Sequence, residues 1–108
     1  MPKYLAHGSY TVEGVRGLIK VGGCSRRSHF QQNIENLGGK LEAFYYAFGS
    51  DDIYAIVDLP DNVSCTAISL ALNAGGGFRN SITVLVTPEE IDEASKKVTL
   101  VGYHPPGQ

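Results

Sequence analysis

The chain has 108 residues, enough for one domain with a real core, and a formal net charge of −2 at pH 7. It carries no basic stripe, which excludes a nucleic-acid binder, and no apolar run long enough to span a bilayer. Its two cysteines, Cys24 and Cys65, stand far apart with no paired spacing, which disfavours a zinc site or a thioredoxin-like motif and suits reduced thiols in the cytoplasm.

The start of the chain, "MPKYLAHGSY", has no apolar signal segment. Lys3 to Tyr10 predicts a first strand, with Tyr4, Ala6 and Gly8 pointing one way and Leu5, His7 and Ser9 the other. Thr11 then caps a helix, with Glu13 in its first turn. An apolar stripe follows through Val15, Ile19, Gly22, Arg26, Phe30, Ile34 and Leu37 in steps of three or four. That spacing predicts one long helix with a bend at Gly22–Gly23, stopped at "LGG" (Leu37 to Gly39).

Leu41 to Phe48 and Asp52 to Leu59 form two strands around a "GSD" or "GSDD" turn. Ile53, Ala55, Val57 and Leu59 make one aliphatic face; Asp52, Tyr54, Ile56 and Asp58 take the other. An odd-length turn places Phe44 and Tyr46 on the face of Tyr54; an even-length turn places Tyr45 there instead. The odd turn is favoured, because it leaves the small Ala43 and Ala47 under the helices.

Pro60 ends the second of these strands, and Asp61 caps a helix, "NVSCTAISLALNA", apolar over most of its circumference. The "GGG" run (Gly75 to Gly77) follows a helix and precedes a strand, the wrong order for a phosphate loop. Phe78 to Val86 is the fourth strand; Arg79, Ser81 and Thr83 join His7 and Ser9 if Ile82, Val84 and Val86 face the helices. "TPEE" is a complete capping-box signal, starting a short helix at Pro88 with the stripe Ile91, Ala94, Val98. "VTLVGY" reads as a short added strand, and residues 103–108 as an extended tail.

The order β-α-β-β-α-β plus a C-terminal helix predicts an α+β, ferredoxin-like domain over residues 1–108: a four-stranded antiparallel sheet with both long helices on one face. The other face carries rings and acids, and a second subunit is its expected cover. On that face His7, Tyr46, Asp52, Tyr54 and Arg79 are the candidate ligand-binding residues, with Arg79 holding an anionic group and His7, oriented by Asp52, moving a proton. The competing reading of the same residues is a polar layer between subunits. Arg26 and Arg27 are weaker anion-binding candidates; the same pair makes Cys24 the less inert thiol. His29 and His104 read as surface residues, and no metal-ligand spacing occurs.

The runs "YLAHGSYTVEGVRGLIK", "GGCSRR", "LGGKLEAFYYAFGSDDIYAIVDLPDN", "LALNAGG" and "TPEEIDEASKK" resemble the GYD domain proteins of prokaryotes. The resemblance spans nearly the whole chain. It implies the fold of the dimeric α/β barrel superfamily, in which two ferredoxin-like units pack through their sheets. The Gly, Tyr, Asp signature falls at Gly49, Ser50, Asp51, Asp52, where the glycine and the final aspartate match and Asp51 replaces the tyrosine. The resemblance bears on fold and assembly; for function the residues leave a small-molecule binding or sensing module, or a structural oligomer built on a dimer, without turnover. The alternative is a small oxygenase or isomerase acting on an aromatic or carboxylate substrate at the sheet face. Haem enters only by analogy with that fold.

Overall fold

The computed structural model describes residues 1–108. Its elements are β1 (Lys3–Tyr10), α1 (Val12–Val21), α2 (Gly23–Asn36), β2 (Lys40–Tyr46), β3 (Ile53–Asp58), α3 (Asn62–Ala74), β4 (Phe78–Leu85) and α4 (Pro88–Val101). The four strands form one antiparallel sheet in the order β2-β3-β1-β4. This is the expected ferredoxin-like arrangement with a C-terminal helix added.

The two central strands alternate cleanly. Tyr4, Ala6 and Gly8 of β1 are buried, as are Ile53, Ala55 and Val57 of β3. Beneath the helices they join Ile34 of α2, Leu59, and Cys65 and Ile68 of α3, with Phe30, Leu37, Leu41, Leu72 and Ile82 packed around them. Burial of this kind contributes about 25 cal/mol per Å² of apolar surface, so these side chains are the main source of stability. Tyr4 is the one core residue with a polar end, and its hydroxyl donates to Asn62 Oδ1 at 2.6 Å.

The long helix expected after β1 is two helices. Gly22 takes φ +89°, a left-handed value that ends α1, and its N–H closes back on Leu18 O at 2.7 Å. The apolar stripe holds along α2, where Phe30 and Ile34 face the core, but not along α1, where Leu18 points inward and Ile19 is exposed. The start of α1 is fixed by the triglycine turn: Thr11 N–H donates to Gly77 O and Thr11 Oγ1 to Gly76 O. Gly14 lies so close to this turn that a Cβ there would overlap Gly77 O.

In β2 the odd-turn register is overturned. Tyr45 lies opposite Tyr54, Tyr46 opposite Ile53, and Ala47 N–H donates to Asp52 O. The turn from Phe48 to Asp51 is even-length, the alternative reading, and a β-bulge further along β2, where Leu41 opposes Val57 but Ala43 opposes Ile56 with Glu42 as the extra residue, returns Leu41 to the helix side. Alternation therefore restarts at Ala43. Leu41, Phe44 and Tyr46 all face the helices, and Ala43 and Tyr45 go to the bare side.

At the C-terminus the capping box is present as expected, Thr87 Oγ1 accepting from Glu90 N and Glu90 Oε1 from Thr87 N. The helix it opens is longer than expected. It absorbs Val98 to Val101, so "VTLVGY" is not a strand, and ends at Gly102 in the left-handed conformation (φ 69°). Every residue from Pro88 to Gln108 is exposed.

Candidate functional site

The register places the bare face residue by residue. His7 stands between Tyr54 of β3 and Ser81 of β4, Leu5 between Ile56 and Thr83, and Lys3 between Asp58 and Leu85; Ser9 opposes Arg79. One end of the face is charged and self-satisfied: Lys3 Nζ reaches Glu42 at 2.7 Å and Asp58 at 2.8 Å. The middle is apolar or aromatic, with Leu5, Ile56, Tyr45 and Tyr54. The other end holds a polar cluster around His7.

His7 Nδ1 lies 2.8 Å from Asp51 Oδ2, and Nε2 lies 3.2 Å from Thr83 Oγ1. An ionised carboxylate can only accept, so Nδ1 carries the proton. That leaves Nε2 as the ring position that gains or loses one, in reach of a hydroxyl. The Tyr54 ring stacks alongside at a centroid distance of 6.1 Å and 12° between planes. Ser9 Oγ donates to Ser50 O at 3.2 Å, which holds the turn that carries Asp51 over the sheet. Carboxylate, imidazole and hydroxyl in a row, beside an aromatic ring, is an arrangement suited to general acid–base work or to gripping a polar ligand.

Of the residues expected here, His7, Tyr54 and Arg79 share the face, Arg79 exposed at its edge opposite Ser9. Asp52 does not orient His7. Its carboxylate accepts from Tyr10 N at 2.9 Å and its own N–H donates to Gly8 O, so it ties the turn to the end of β1. Asp51 makes the contact with His7 that was expected of Asp52. Tyr46 lies on the opposite side of the sheet, where its hydroxyl donates to Gly23 O at 3.0 Å. Burial, with Tyr10 close by, pushes its phenol up to about 12. Arg26 is half-buried on that helix side, its Nη1 3.5 Å from His29 Nδ1, while Arg27 is exposed. Cys24 is exposed and Cys65 buried, both as free thiols; burial pushes the Cys65 thiol up.

The model of the GYD domain family matches residues 4–95. The chain belongs to the GYD domain family. The match takes in the whole sheet, α1 to α3 and the first half of α4. Within this GYD domain it covers His7, Asp51, Tyr54 and Thr83 alike. No curated protein and no solved structure matches the chain. No helix of the structure is long and apolar enough to cross a membrane.

Proposed function

We propose that this GYD domain is a small-molecule binding module that works as a dimer. Two bare sheet faces meet and enclose a site around His7. The observation that carries this reading is the row Asp51–His7–Thr83 with Tyr54 stacked beside it. Such a row holds an imidazole in one tautomer, with Nε2 against the Thr83 hydroxyl. Arg79 supplies a cation at the rim, so the ligand class is a small polar aromatic or a carboxylate. The free thiols of Cys24 and Cys65 fit a reducing, cytoplasmic setting.

Two features support the second copy. Tyr54, 37% exposed, and Tyr45, 72% exposed, stand beside Leu5 and Ile56 on a face no helix of the chain covers. Four strands of six to eight residues, spaced about 4.8 Å apart, make a face of roughly 450 Å². Two such faces bury about 900 Å², at the low end of the range for specific protein interfaces.

The same row favours one further reading, turnover by proton transfer in an isomerase or oxygenase, because a ring fixed at Nδ1 exchanges protons at Nε2. Native mass spectrometry of the purified protein tests the binding reading. The dimer should carry a ligand that is lost in His7→Ala and weakened in Tyr54→Phe, with the dimer intact. Dissociation of the dimer in His7→Ala would show instead that the cluster is only a polar layer of the interface.

A further inference from the structure

A second chamber lies on the other side of the sheet, between the strands and the helices. Its inner part has a volume of about 40 Å³ and is lined by Phe30, Phe44, Phe78, Arg26 and Asn80 among others. It runs into an open groove of about 360 Å³ between α1, the end of α3 and the triglycine turn, the two sharing Tyr10, Arg26, Leu72 and Phe78. Together they reach the size of an ordinary small-ligand site, roughly 300–1,000 Å³.

Two residues here are unexplained by the protein's own packing. The Asn80 side chain has both Nδ2 and Oδ1 fully buried without a hydrogen-bond partner. A buried polar group left unpaired is destabilising, and here one side chain carries two. Gly17 lines the groove from within α1, where glycine is a poorer helix former than alanine. Gly14, one turn earlier, is required by its approach to Gly77; at Gly17 a Cβ would meet nothing within 4 Å. Gly17 leaves open a space that the chain itself does not use.

We infer that this cleft is a binding site for a small aromatic hydroxy acid. The ring lies in the outer groove over Gly17, against Leu18, Tyr10 and Phe78, and Arg26, which borders both chambers, takes the carboxylate at the mouth of the inner one. Asn80 pairs both of its orphaned atoms, Nδ2 donating to the carboxylate and Oδ1 accepting from the hydroxyl. Bound ligand thus satisfies Asn80 and fills the space above Gly17. This site lies across the sheet from His7 and stands or falls apart from the function proposed there.

The test is calorimetric titration of the full-length protein with salicylate, alongside Gly17→Leu and Asn80→Leu. Saturable binding below roughly 10 mM is expected for the wild type, at least about tenfold weaker in each variant. Gly17→Leu adds a good helix former in open space, and Asn80→Leu removes a buried amide. Both variants should therefore melt no lower than the wild type while they lose the ligand, an outcome that general damage to the fold does not produce. No saturable heat with salicylate, or binding unchanged in both variants, overturns the assignment.

Discussion

Tyr46 illustrates how one side chain reports the register of a whole strand. Its phenol is raised to about 12 because it faces the helices, beside Tyr10 and under the start of α2. The folded state thus holds this proton more tightly than the unfolded chain, whose tyrosines titrate near 10. The stabilising contribution is complete below about pH 10 and is lost as pH rises to about 12. Tyr46 is 38% exposed, so water screens part of the effect and the loss is smaller than the shift alone implies. Urea unfolding of wild type and Tyr46→Phe across that alkaline window should show a steeper fall in midpoint for the wild type, since burial also raises the Tyr4 phenol and the Cys65 thiol in both proteins. At this scale the sequence disclosed His7, Tyr54 and Arg79, because β1, β3 and β4 keep strict alternation. It did not disclose whether Asp51 or Asp52 meets His7. Neighbouring turn carboxylates are chemically alike, and only the turn's path over Ser9 separates them.

Among the elements, β2 and α4 departed most from expectation. A bulge is one residue in a strand of otherwise ordinary composition, and "KLEAFYY" gives no glycine or proline to mark it. Deleting Glu42 distinguishes the two registers. With the bulge, its removal leaves Leu41 opposite Val57 and costs only the exposed, water-screened Lys3–Glu42 ion pair. With strict alternation, the deletion would turn Leu41 out of the core at a cost of several times that, measurable as a drop in urea midpoint. In α4 the capping box was legible because it is local, but its length was not, since Val98 to Val101 suit strand and helix alike by composition. Exposed on all sides, the helix rests on its caps and its own hydrogen bonds, and helices of this length are marginal in water. Its amides should exchange with deuterium near unprotected rates in the isolated protomer, while those of β1 and β3 exchange slowest. Protection of α4 equal to that of the central strands would contradict this.

The molecule as a whole is elongated, 58 Å in its longest dimension, with a radius of gyration of 17.3 Å. A compact chain of this length has about 13 Å. The single-layer helical cover, the uncovered sheet face and the projecting α4 are the structural features behind that difference. The order of elements, the sheet and the helix-covered face were all legible, because each rests on alternation or capping within a short stretch. No residue of the chain itself covers the bare face, and the second copy proposed there comes from outside it. The account stands on that face being closed by a second copy around His7. The molar mass by light scattering at micromolar concentration tests this most directly. The account predicts twice the 11.6 kDa of the chain or an even multiple of it, falling toward the monomer when Ile56→Lys charges the centre of the face. A wild-type monomer, or a dimer indifferent to Ile56→Lys, would contradict it.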